Sequence, residues 1–206
     1  MDLPSAQPAP PRHLRLAQPW PAAAEAGPAD AALVAGLRRG DARAMAAVWS
    51  QYHQRIHSFL LRLCRQPELA EDLLQETFVR LGRHAAQLAA ETPLLPWLYT
   101  VARNLYRSDL RKRVGWLRRL PLLHADFEAP APTPWTLTVA RDDNRRLEAA
   151  LLGLADAYRE ALLLVCVDGV PAEQAAQVLG IEPATLRKRL SRGRAQLRAA
   201  LGEELP

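Results

Sequence analysis

The sequence predicts an all-α fold: two small helical domains joined by a Pro-rich linker. Three observations carry this. Apolar residues recur at steps of three and four through most of residues 30–113 and again from residue 141, and no convincing alternating strand pattern competes with them. The composition is biased towards Ala, Leu and Arg, which favour helices. Between the two periodic stretches, Pro121, Pro130, Pro132 and Pro134 interrupt residues 114–140, where a semi-extended linker is expected.

Residues 1–29 are rich in Pro and Ala without clean periodicity, so a disordered or loosely attached tail is expected there, with Trp20 its odd residue. Asp30 is a good N-cap for a first helix that turns Leu33, Val34 and Leu37 inward and ends near Gly40. Asp41 caps a second, with Met45, Val48, Trp49, Tyr52, Ile56, Phe59, Leu60 and Leu63 on its stripe, ending about Cys64 before Pro67. A third runs from Glu68 to about His84, with Leu69, Leu73, Leu74, Phe78 and Leu81 inward. A fourth follows Pro93 and Pro96, from about Trp97 through Val101 and Leu105 to Lys112. These four can bury one compact core of about 85 residues.

The second unit spans residues 141–206. Leu147, Leu151 and Leu154 form its first stripe. Asp156 caps a helix holding Ala161, Leu162, Val165 and Cys166, which Asp168-Gly169 ends. Pro171 to Leu179 reads as a short helix with Ala175, Ala176 and Leu179 inward. Gly180 suits a left-handed stop, and Pro183 suits the first position of the next helix.

That last helix, Pro183 to Leu201, is where the chemistry concentrates. Leu186, Leu190, Leu197 and Leu201, with Gly193, make its buried stripe. The other positions include Arg187, Lys188, Arg189, Arg192, Arg194 and Arg198, and no acid. At 100° per residue, Lys188, Ser191, Arg192 and Ala195 lie opposite the leucines, with Ala184 and Thr185 above them. A narrow cationic face with short side chains can enter a DNA major groove, where Arg and Lys reach phosphates or guanine edges. Helix, Gly turn and basic second helix together form a helix-turn-helix pattern.

The bulk numbers agree. Net charge is +5 and the pI about 9.8, which suits a polyanionic partner. The charge is clustered: Arg103 to Arg119 holds seven basic residues against one acid, Asp109. No apolar run approaches a membrane span, and no signal peptide is evident. Cys64 and Cys166 sit in apolar helical contexts and read as reduced, buried thiols of an intracellular protein. His53 and His57, with Cys64 two turns on, lack a further ligand at metal spacing, so no metal or other cofactor is expected. No phosphate loop, nucleophile elbow or HExxH is present, and no catalytic residue is assigned.

Four segments, in order, resemble the sigma-70 family of bacterial RNA polymerase sigma factors, in its small extracytoplasmic-function (ECF) group. LVAGLRRGDARAM (Leu33–Met45) looks like the opening of the family's region 2, and AEDLLQETFVRL (Ala70–Leu81) is close to its most recognisable segment. PWLYTVARNLYRSDLRKR (Pro96–Arg113) is similar to the promoter-melting segment, and Tyr158–Arg198 resembles region 4.

The resemblance implies a cytoplasmic bacterial protein that binds core polymerase, directs it to promoters and helps open the duplex. Asp72, Gln75 and Glu76 match the face that docks on the clamp helices of the polymerase's largest subunit; an acidic face suits a basic partner and fits DNA poorly. Asn104 matches a position near strand opening, and Arg103, Arg107, Arg111, Lys112 and Arg113 form a cationic ridge around it for the downstream element. Trp97 reads as core beneath the ridge, and Tyr99 as a candidate for stacking on an exposed base. The loop Ala85–Thr92 matches a base-capturing loop, though Leu88 and Leu95 stand where aromatics are common. In region 4, Arg187, Lys188, Ser191 and Arg192 match contacts to the upstream element. The flap of the second-largest subunit and an anti-sigma factor are further partners that the resemblance implies.

A stand-alone helix-turn-helix regulator that binds operator DNA is the alternative. It leaves AEDLLQETF and the Arg103–Arg113 ridge without a role. An enzyme on a helical scaffold would need a cluster of buried ionisable groups that the sequence does not display.

Overall fold

A computed structural model describes residues 28–118 and 142–202. The tail up to residue 27 and the linker between 119 and 141 lie outside the described residues. Among those described, every regular element is helical. The order is α1 (Pro28–Arg38), α2 (Ala42–Cys64), α3 (Pro67–His84), a 3-10 turn (Ala85–Gln87), α4 (Leu94–Arg118), α5 (Asp142–Gly153), α6 (Asp156–Leu162), a π turn (Leu163–Val167), α7 (Ala172–Leu179) and α8 (Pro183–Leu201).

In the first unit α2 is the central member, packed on α1, α3 and α4. Its stripe behaves as its spacing requires: Val48, Tyr52, Ile56, Phe59, Leu60 and Leu63 are buried. Phe59 meets Tyr99 of α4 edge-on at 5.0 Å between centroids, a favoured aromatic geometry. Each fully buried side chain of this size contributes about 1.5–3 kcal/mol. Asp41 caps α2 through a 2.8 Å bond from the Arg43 N–H.

Asp30 does something other than the N-cap its position suggested. It lies within the first turn of α1, and its carboxylate accepts from the Tyr52 hydroxyl (2.7 Å) and the Leu94 N–H (3.1 Å). One side chain thus ties α1 to α2 and satisfies a free N–H at the start of α4. With that N–H satisfied, α4 begins at Leu94, ahead of the expected Trp97, and continues past Lys112 to Arg118.

In the second unit α8 packs on α5, α6 and α7. Gly180 adopts φ 63° and ends α7 as expected. The Ile181 N–H reaches the Ala176 carbonyl and the Gly180 N–H that of Gln177, which closes a Schellman motif. Pro183 opens α8 at its first turn.

Three inward assignments fail, the first just after α6. The Asp168 N–H bonds back to the Leu163 carbonyl, five residues earlier, so the chain winds as a π turn. The wider turn rotates the stripe: Leu163 and Leu164 are buried, and Cys166 is exposed together with Val167. Trp49 and Leu147, both expected to face inward, are each 38% exposed. Trp49 spans the edge of the α2–α3 contact, stacked on His53 of its own helix and edge-on to Phe78 of α3.

The two units touch. α4 packs on α7, and α2 on α6 and the π turn, so the buried side chains form one continuous cluster.

Candidate functional site

The helix-turn-helix face emerges as the helical wheel predicts. Leu186, Leu190 and Gly193 of α8 are buried. Thr185, Arg187, Lys188, Ser191 and Arg192 are all exposed. The close approach of α8 to α6 depends on Gly193: a Cβ there would sit 3.0 Å from Leu162 Cδ1 and 3.3 Å from Tyr158 Cβ. The result is a helix that presents cations and short polar side chains outward, the arrangement a major groove accepts.

On α3, Asp72 and Gln75 are exposed, and Glu76 is half-buried. Gln75 donates to Glu71 at 3.4 Å, and Glu76 pairs with Arg80 at 2.9 Å. Both contacts run one turn along the helix beside Asp72, Gln75 and Glu76, which form one ridge. Val79, 44% exposed, continues that ridge one turn on. Sequence reasoning passed it over, although its spacing of three from Glu76 was visible.

The α4 ridge divides. Arg107, Arg111, Lys112 and Arg113 are exposed and Asn104 is half-buried. The guanidinium of Arg113 is itself engaged, pairing with Asp109 at 2.7 Å and donating to Gln66 at 3.1 Å. Arg103 departs from the expected solvent-facing ridge. It is only 6% exposed, and its Nε donates to Glu160 of α6 at 3.0 Å. Burial, chiefly, lowers its pKa from the ordinary arginine value; the charge and hydrogen bond of Glu160 oppose this, and Arg107 and Arg189 nearby add to it. Glu160 was not singled out from the sequence, because 57 residues separate it from Arg103 and no local pattern links them.

Tyr99 is also unavailable as a stacking platform. It is fully buried, and burial pushes its hydroxyl above the ordinary tyrosine range. Trp97 is core, as read from the sequence, and Leu88 is buried with it. His53 is engaged with the Trp49 carbonyl at 2.8 Å, and His57 faces Glu71 at 3.7 Å. Burial pushes the Cys64 thiol up, which favours its unreactive protonated form. No helix among the described residues is long and apolar enough to cross a membrane.

Comparison with known proteins matches both helical units. Residues 48–117 match Sigma-70 region 2, and residues 144–197 match Sigma-70 region 4. The chain is 34% identical over 173 residues to the RNA polymerase sigma factor CarQ of Myxococcus xanthus, covering 81% of this chain and 94% of that protein. It is 32% identical to the ECF RNA polymerase sigma factor EcfG of Rhodopseudomonas palustris, covering 71% and 78%. Its fold is similar to that of the sigma factor RpoE of Bartonella quintana, solved in complex with the anti-sigma factor NepR. That likeness has a TM-score of 0.64 at 25% identity and covers 76% of this chain and 96% of that one. With both regions present, in family order, one on each helical unit, the chain belongs to the ECF group of the sigma-70 family and is a sigma factor that directs RNA polymerase to promoters.

Proposed function

We propose a division of labour between the two units. Residues 30–113 dock on core polymerase through Asp72, Gln75 and Glu76, and engage the downstream element and the separating strands through Asn104, Arg107, Arg111, Lys112 and Arg113, joined by Arg103 when it is exposed. Residues 141–206 read the upstream element through Thr185, Arg187, Lys188, Ser191 and Arg192. The Pro-rich stretch between α4 and α5, residues 119–141, lets the two units separate along the promoter.

The observation that carries this reading is the outward face of α8. Five side chains chosen from the sequence are exposed together there, while Leu186, Leu190 and Gly193 of the same helix are buried. Lys188, Ser191 and Arg192 project to base edges, and Arg187 on the flank grips phosphate. The exposed carboxylate of Asp72 supports docking on a basic protein surface and opposes docking on DNA.

The chain contributes binding and positioning in the bacterial cytoplasm, and the polymerase supplies the chemistry. An anti-sigma factor as regulator is supported by the Bartonella quintana relative, which was solved with one. Run-off transcription with bacterial core polymerase over a promoter library tests the whole reading. Promoter-specific transcripts that need this protein are expected, and Asp72→Arg should abolish them while leaving helical content unchanged. Specific duplex binding by the protein alone, with no dependent transcript, would instead mark an operator-binding regulator.

A further inference from the structure

Two guanidiniums converge on one carboxylate where the two units meet. Glu160 Oε2 lies 3.0 Å from Arg103 Nε and 3.9 Å from Arg107 Nη1. Arg189 of α8 is close enough to lower the pKa of Arg103 by repulsion. Arg103 Nη1 also donates to the Val178 carbonyl of α7 at 3.5 Å. Glu160 is 2% exposed, so its charge is balanced by these cations and hardly by water.

We propose that Glu160 stands in for a DNA phosphate: it latches α6 onto α4, holds the two units closed, and masks Arg103 from nucleic acid until they separate. Guanidinium forks take carboxylate and phosphate oxygens with the same geometry, so one anion can replace the other. A buried ion pair sits near energetic balance between desolvation and attraction. Exchanging the carboxylate for a phosphate is therefore a small step once promoter DNA offers one. Electrostatics sets the direction of the switch. Without Glu160, like charges on α4 (Arg103, Arg107) and α8 (Arg189) face each other across the junction and drive the units apart. The inference rests on the reading of α4 as DNA-facing.

The test uses the full chain and the Glu160→Gln variant, which keeps the side-chain shape and removes the charge. Small-angle X-ray scattering at low salt is expected to show a larger radius of gyration for Glu160→Gln than for wild type. Glu173→Gln, the same charge change at an exposed site on α7, should scatter like wild type. Binding to a duplex of arbitrary sequence is then measured against salt concentration. The released arginines should steepen the log–log slope by about one to two.

Unchanged scattering and slope would overturn the latch and leave the promoter-binding reading untouched. An opened chain with an unchanged slope would overturn the masking and place the fault in the DNA assignment of α4. Circular dichroism reports whether Glu160→Gln folds. If it does not, Arg103→Gln puts the opening to the same scattering test from the α4 side, where a compact chain would again overturn the latch.

Discussion

Gly36 of α1 and Ala44 of α2 meet so closely that a methyl carbon on Gly36 would lie 2.6 Å from the Ala44 Cβ. Neither atom is the end of a flexible side chain, so one helix would have to move. Gly36→Ala is therefore expected to destabilise the first unit by about 1–3 kcal/mol, despite the better helix propensity of Ala. Ala44→Gly in the same chain should restore part of the loss. Urea unfolding of the two single variants and the double variant checks both statements, and an Ala at 36 that costs nothing would refute the close contact.

Asp30 ties three helices through two hydrogen bonds to one carboxylate. Asp30→Ala leaves the Leu94 N–H without its partner and the Tyr52 hydroxyl without an acceptor. Hydrogen bonds to a charged group contribute about 1.5–3 kcal/mol each, so a loss in that range or somewhat above is expected. If the bond to Tyr52 contributes as drawn, Asp30→Ala should cost less in a Tyr52→Phe background than in wild type. Equal costs in both backgrounds would show the pair to be uncoupled.

Asp168 ends the π turn at the junction between the units, and burial pushes its carboxyl above the ordinary aspartate value. The Tyr99 hydroxyl and the Arg62 and Arg55 guanidiniums pull it partly back. A raised folded-state value means that the folded chain binds this proton more tightly than the unfolded chain. The group's contribution to stability is then fully present below the ordinary aspartate value and is lost as pH rises towards the raised one. At neutral pH the charged, buried Asp168 is a net cost. Asp168→Asn should raise the melting temperature relative to wild type at pH 7, with the gap narrowing in acid. A gap that does not vary with pH would refute this account.

On α8, Lys188→Ala and Arg192→Ala should each weaken upstream-element recognition by about 1–3 kcal/mol if a base contact is lost. Arg187→Ala, at a phosphate-gripping position, should weaken binding evenly across promoter sequences. Transcription from a promoter series carrying single changes in the upstream element separates the two behaviours. Wild-type selectivity in Lys188→Ala and Arg192→Ala together would remove α8 as the reading helix.

The helices, their order and most of their buried faces were legible in the sequence, because they depend on local spacing and local punctuation. The Leu186–Leu190–Gly193 stripe, the Gly180 stop, the Asp41 cap and the Pro183 start each act within a few residues. The exposed set on α8 followed from the same periodicity, since a helix that buries one face must present the other.

What the tertiary structure decided involves residues far apart in the chain, or a winding that the 3.6-residue period does not describe. Asp30 sits where an N-cap is expected, yet its acceptors serve Tyr52 and Leu94, which only packing brings near. The π turn at Leu163–Val167 shifts the stripe by a residue and turns Cys166 outward, against its apolar local context. Arg103 belongs by spacing to a solvent-facing basic ridge, and it is buried because Glu160 reaches it from the other unit. Periodicity can say which residues share a face of one helix. It cannot say which carboxylate a buried cation will meet, because that pairing is set by how two helical units pack and by the electrostatic need to balance a charge removed from water.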